Sequence, residues 1–505
     1  MKENRTKNAS RNIVFGLINK VIRLVFPFII RSIIIQILGA EYLGLDSLFT
    51  SILQVLNLAE LGFSSAVTYN MYKPIAKNDT KTICALLNLY RKIYRIISVA
   101  ILVAGIAVMP FLGYFIEGDI PENINIYILY AIFLANTVFS YLVFAYKAVL
   151  FNAHQRSDIT MNIQSIISVI QYLAQILVLV VFKNYYLFAG IMCITTIINN
   201  ILASYFAKKK YPQYVCAGEI SKTQRKDIRK KVTGLMVYRI CATTRNSFDS
   251  IFISSMVGLT EVAIYSNYYT IMAGIMGIMG ALTTPVIASV GNSIVTETEK
   301  KNYRDMVRFD FIYMWVSGWL AICLACLYQP LMKLWMGEEN MFEYGIMILF
   351  CIYFYALKMG DIRALYADAR GLWYENRFRT IAESVVNIIL NLVLGYFFGV
   401  PGIIVATLIS LLIIGFGGGA QILFKHYFVH EKVSKYFLRH LIYALVTTAV
   451  GALTYFSCTL VQLDGIWELV VKAAICVSLP NLVYLLIYRN TKTYKDSLSI
   501  TKNIW

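Results

Sequence analysis

The chain has 505 residues, of which 58% are hydrophobic and 15% charged, with a mean hydropathy of +0.63. That leaves too little polar surface for a soluble protein of this size, so an all-α polytopic membrane protein is expected. A formal net charge of +18 could point to nucleic acid, but the charge follows the membrane topology, which argues against nucleic acid as a partner.

About fourteen apolar segments are long enough to cross a bilayer. In chain order they are 13–38, 43–69, 96–116, 124–146, 159–182, 185–207, 232–257, 262–290, 309–329, 342–365, 380–399, 402–424, 441–463 and 467–488. The first has no small-residue cleavage site and exceeds a signal-peptide core, so it is expected to stay. With the N-terminus inside, most Lys and Arg fall in inner loops and tails, leaving Lys183, Lys333 and Lys472 outside. The outer turns "EGDIPEN" (117–123) and "GEENMFE" (337–343) are acidic. With the N-terminus cytoplasmic, an even helix count puts the C-terminus on the same side.

A duplication underlies this order. "ILGAEYLGLDSLFTSIL" (37–53) resembles "MVGLTEVAIYSNYYTIM" (256–272), and "YKAVLFNAHQRSDI" (146–159) resembles "IRALYADARGLWYENRF" (362–378), at offsets of about 219 and 216. Two similar offsets far apart imply two six-helix units of one orientation, a parallel repeat of the kind transporters use. The expected domains are an N-terminal lobe over 1–207, a basic cytoplasmic linker over 208–231, and a second lobe over 232–424. Two additional helices and a tail occupy 425–505.

Six cations remain inside the spans: Lys20, Arg23, Arg31, Arg239, Arg245 and Lys358. An arginine at the centre of a membrane helix costs roughly 2.5–3.5 kcal/mol on insertion scales, so each needs a reason. At 100° per residue Lys20, Arg23 and Arg31 lie within about 80° of one another, a polar stripe on an apolar helix. The matching helix of the second unit carries Arg239, Arg245 and Asp249. Arg245 and Asp249 have the i,i+4 spacing of a local ion pair, whereas the first helix offers its arginines no acid. Arginines on both leading helices point to a cationic cavity between the lobes that receives phosphate, whose oxygens match the guanidinium fork.

The carboxylates within spans are Asp46, Glu60, Asp249, Asp361 and Glu383. Asp249 and Glu60 are the better candidates for coupling to Na⁺ or H⁺, while Asp361 is expected to pair with Lys358. The cluster "YSNYYT" (265–270), with Tyr265, Asn267 and Tyr268, could contact sugar. "GFGGG" (415–419) reads as close helix packing. Cys323 and Cys326 form a C-x-x-C on a membrane helix, read as packing and not as a metal or redox site. His426, His430 and His440 read as solvated residues of a basic loop. No metal-ligand, nucleophile–base or phosphate-loop pattern stands out, so neither an enzyme nor a cofactor is expected.

The basic N-terminus before "NIVFGLINKVIRLVFPFIIRSIIIQILGAEYLGLDSLF", then "LNLAELGFSSAVTYNMYKPIAKND" and "FDSIFISSMVGLTEVAIYSNYYTI", resemble the Wzx-type polysaccharide-repeat-unit flippases. These belong to the multidrug/oligosaccharidyl-lipid/polysaccharide exporter (MOP) superfamily. The resemblance implies two six-helix lobes, alternating access, and transfer of an undecaprenyl-pyrophosphate-linked oligosaccharide to the outer leaflet for capsule or exopolysaccharide. It further implies that Arg23, Arg31, Arg239 and Arg245 receive the pyrophosphate and sugar head, and that the polymerase and chain-length machinery act alongside. By similarity to lipid II flippases, the last two helices would form a groove for the lipid tail. The alternatives are a lipid II flippase, a multidrug cation exporter, for which arginines would be repulsive, and a membrane polymerase or glycosyltransferase.

Overall fold

The computed structural model describes residues 2–57, 63–118, 120–154, 156–221, 225 and 247–504. Among these the chain is helical, with no strand. Nine of the described helices are long and apolar enough to cross a membrane. A tenth results if Ile126–Leu142 and Ala145–Ala153, bent by 50°, form one span.

The chain divides into two compact units, Met1–Ala263 and Ile264–Trp505. The first comprises α1 (Lys2–Ile37), α2 (Ala40–Leu56), α3 (Phe63–Ala76), α4 (Thr80–Val108), α5 (Ile126–Leu142), α6 (Val149–Ala153), α7 (Ser157–Phe182) and α8 (Tyr185–Lys210). Helical residues 247–256, labelled α9, and the first turn of α10 (Leu259–Thr296) complete its described part. Apolar faces of α1, α2, α4, α5 and α8 form a core around Leu45, Phe49, Leu129 and Tyr130. The Asp79 side chain caps α4, accepting from the Thr82 backbone N–H at 3.0 Å and its hydroxyl at 2.6 Å. The described start of the expected linker is docked: Tyr211 and Ile220 are buried in a second core beside α4, and Asn88 Nδ2 donates to the Gly218 carbonyl at 2.9 Å.

The second unit contains the rest of α10, then α11 (Glu299–Met336), α12 (Tyr344–Met359), α13 (Asp361–Arg370), α14 (Trp373–Ser410) and a π-helical stretch (Leu411–Gly418). After these come α15 (Gly419–His426), α16 (Val433–Thr459), α17 (Ile466–Tyr488) and α18 (Lys492–Ile504). One segment differs from expectation at a glycine, and the expected break between 380–399 and 402–424 falls at another. The segment 342–365 is two helices broken at Gly360. α14 breaks at Gly399, whose φ of 61° only glycine adopts freely. Pro401 follows, and the chain folds back on itself, with Asn387 Nδ2 donating to Thr407 Oγ1 at 3.0 Å. A Cβ on Gly402 would overlap the Leu394 carbonyl, so this turn has room only for hydrogen.

The duplication has a structural counterpart. Gly39 and Gly258, equivalent at the offset of about 219, both have positive φ, 116° and 143°. Each ends one helix and opens the next, α1 to α2 and α9 to α10.

Candidate functional site

The leading helix sets the first candidate site. α1 lies along α7, where Asn19 Nδ2 donates to Ser165 Oγ at 3.1 Å and Phe26 stacks on Tyr172 at 5.1 Å between ring centroids. This packing turns Lys20 and Arg23 to the exposed side of unit 1. Among the described residues no carboxylate pairs with either. Arg23 is within electrostatic range of Tyr172.

Arg31, two turns further, is half-buried, and its acid comes from the next helix. Asp46 on α2 interacts electrostatically with Arg31, and Tyr185 at the start of α8 donates its hydroxyl to Asp46 Oδ1 at 3.3 Å. A charge away from water is tolerated when opposite charge lies close to it: Asp46 supplies that charge, and Tyr185 hydrogen-bonds the Asp46 carboxylate. The sequence held the acid but not the contact: Asp46 is visible as an intramembrane carboxylate, whereas Tyr185 is far along the chain.

The other expected residues separate. Arg239, Arg245 and Glu60 lie outside the described residues. Asp249 is buried on α9 in unit 1, two residues from Ser247, whose hydroxyl donates to Gln54 Oε1 at 3.2 Å. In unit 2, Lys358 is buried and bonded to Asp361 at 2.7 Å, and Asp361 also accepts from the Tyr313 hydroxyl at 2.5 Å. That geometry spends the Lys358 charge inside the protein.

Tyr265, Asn267 and Tyr268 are buried in unit 2. The Tyr268 hydroxyl donates to Gln329 Oε1 at 2.6 Å, and its ring lies against Tyr328, Phe342 and Phe350. Sugar contact through these residues would require this packing to open.

Unit 2 also holds buried charge that local sequence reading misplaced. His440 is not a solvated loop residue: it is 0% exposed on α16, with Nε2 3.4 Å from Asp310 Oδ1 on α11 and Nδ1 3.1 Å from the Tyr436 carbonyl. Arg379 bonds Glu383 at 2.9 Å and the Gly415 carbonyl at 3.2 Å, and Arg363 is buried nearby. The "GFGGG" stretch accommodates these groups. A Cβ on Gly415 would stand 3.1 Å from the Glu383 carboxylate, and one on Gly419 would overlap the Arg363 guanidinium.

A family model described as "Polysaccharide biosynthesis protein" matches residues 7–290, more than half of the chain. The chain belongs to that family. No match emerges among curated proteins. Solved structures similar to this family member share its fold at low identity. A structure of the lipid II flippase MurJ in an inward closed conformation has a TM-score of 0.67 at 14% identity, covering 95% of this chain and 99% of its own. An inward-facing multidrug resistance MATE transporter of the MOP superfamily has a TM-score of 0.59 at 14% identity, covering 81% and 94%. A mutant of the Vibrio cholerae MATE transporter VcmN has a TM-score of 0.56 at 15% identity, covering 86% and 99%. These likenesses place this polysaccharide-biosynthesis protein in the polytopic fold of MOP transporters.

Proposed function

We propose that this protein is a flippase that moves undecaprenyl-pyrophosphate-linked oligosaccharide repeat units across the cytoplasmic membrane, from inner to outer leaflet, by alternating access. The family match supports the polysaccharide role. The observation that carries the substrate class is the α1 stripe: Lys20 and Arg23 are exposed with no acid among the described residues, and Arg31 is half-buried beside Asp46. Cations on a membrane helix that lack a neutralising carboxylate suit an anionic head group. At an effective dielectric of about 20, a phosphate charge 4 Å from an arginine gains about 4 kcal/mol, comparable with the cost of inserting that arginine.

In this reading Arg23 and Lys20 bind the pyrophosphate directly, and Arg31, in the field of Asp46, contributes a further positive charge. Asp249 and Glu60 are the groups assigned to a coupling Na⁺ or H⁺. Both termini are cytoplasmic, and the polymerase takes the product.

The test is deletion in the source bacterium, followed by extraction of lipid-linked intermediates and sidedness labelling of their sugars. Repeat units accumulating on the cytoplasmic face support the reading. Units still reaching the outer face, with a change only in cationic-drug sensitivity, overturn it. The fold shared with MurJ over nearly the whole chain favours lipid II as the second reading. Accumulation of lipid II instead of a glycan repeat unit would decide for it.

A further inference from the structure

Three thiols meet where α11, α16 and α17 pack together in unit 2. Cys326, Cys458 and Cys476 are buried, and their sulfurs all lie within 4.8 Å of one another. The backbone behind them is fixed: Trp319 Nε1 donates to the Cys476 carbonyl at 2.8 Å, and Cys323 Sγ lies 4.0 Å from the same oxygen.

Helix packing alone asks for small side chains at these positions, which alanine, valine or serine would equally supply. It does not ask for three sulfurs around one point. A metal about 2.3 Å from each of three sulfurs holds them about 4 Å apart, which fits sulfurs that all lie within 4.8 Å of one another. There is also a way in. A cavity of about 750 Å³ is lined by Cys326 and Cys458, together with Gln329, Tyr455, Glu468 and Lys472. Lys472, bonded to Glu468 at 2.5 Å, acts electrostatically on Cys458.

We propose that Cys326, Cys458 and Cys476 form a three-sulfur site for a soft, monovalent d¹⁰ cation, of which Cu(I) is the type. An all-sulfur donor set in apolar surroundings selects soft ions. Structural zinc takes four ligands, and no fourth His, Asp, Glu or Cys joins the group among the described residues. Each thiol that ligates as thiolate exchanges its proton for the metal, and the proton leaves to water through the cavity. Two thiolates, one retained thiol and one monovalent cation leave a single negative charge beside the cavity that the Lys472–Glu468 pair also lines. The bound ion would tie the two C-terminal helices to α11 and stabilise the folded unit by mass action.

The test uses the full chain, reduced and anaerobic in detergent, titrated with Cu(I) held by the chelator bicinchoninate. The wild type is expected to withdraw one equivalent and to unfold at a higher temperature once loaded. Cys326→Ser and Cys458→Ser should weaken binding by more than about 100-fold, beyond the usual effect of an outer-shell change, while Cys323→Ser keeps it. Failure of the wild type to compete, undiminished binding by Cys326→Ser, equal competition by Zn(II), or a disulfide among the three cysteines in unreduced protein would each overturn the proposal. A second measurement needs no variant. X-ray absorption of the loaded wild type showing three sulfur donors supports the site, and nitrogen or oxygen donors overturn it.

Discussion

The arginines of α1 differ in what surrounds them, and so should their substitutions. Arg23 is exposed and has no acid among the described residues, so Arg23→Ala removes charge and little packing. It is expected to abolish export of lipid-linked units while the amount of protein in the membrane, measured by immunoblot, stays unchanged. Arg31→Ala instead strands Asp46 and Tyr185, so a loss of membrane level together with export is expected. Asp46→Asn in the same chain should restore the level without restoring export. In unit 2, Arg379 and Glu383 are both largely buried. Removing one partner of a buried pair costs about 3–5 kcal/mol, so Arg379→Ala should lower the thermal midpoint in detergent sharply. Gly419→Ala should do likewise, because the new Cβ overlaps the Arg363 guanidinium. Buried charge in this unit therefore depends on glycines of the facing helix.

At the scale of elements, the breaks between helices are set by single residues. The hairpin within α14 turns at Gly399, and Gly402 lies against the Leu394 carbonyl. Gly402→Ala is expected to leave total helicity by circular dichroism nearly unchanged while reducing the yield of folded protein, since it blocks the close approach and not helix formation. At the other end of the chain, the start of α4 depends on Asp79. Hydrogen bonds from the Thr82 hydroxyl and amide hold the Asp79 carboxyl below the usual aspartate range. With the folded-state value depressed, the cap's contribution is present at neutral pH and lost as pH falls through that lowered value. Asp79→Ala should reproduce the acid effect at pH 7, seen as faster amide exchange confined to the first turn of α4.

For the whole molecule, the exposed surface carries many large apolar side chains, among them Ile96, Val103, Phe182, Tyr396 and Phe456. That is stable in lipid and not in water. The C-terminal helices are integral to unit 2. Gly318 of α11 has room for no side chain against Thr447 and Tyr484, at 2.6 and 2.7 Å from a built Cβ. Trp315 Nε1 donates to Asn481 Oδ1 at 2.9 Å, and Asp310 meets His440. A chain ending after residue 426 would strip Asp310 of its histidine and turn it, with the α11 face around it, toward lipid. Its level in the membrane should fall well below that of the full chain by immunoblot, whereas a chain lacking only α18 should persist.

What the sequence determined by itself is what depends on local composition and periodicity. Long apolar runs must be helices in a bilayer, because backbone polar groups there can be satisfied only within the segment. The repeat was likewise legible, since equivalent turns need equivalent glycines, as Gly39 and Gly258 show. The Lys358–Asp361 pair lies within one turn and was readable from spacing alone. Only tertiary structure decided which distant residues meet: Arg31 with Asp46 and Tyr185, Asp310 with His440, and the three thiols of Cys326, Cys458 and Cys476. Helical periodicity gives the face on which a residue stands, but not the helix that will stand opposite. In a membrane most faces are apolar, so hydrophobicity leaves that choice to the close packing of small residues and the pairing of the few buried charges.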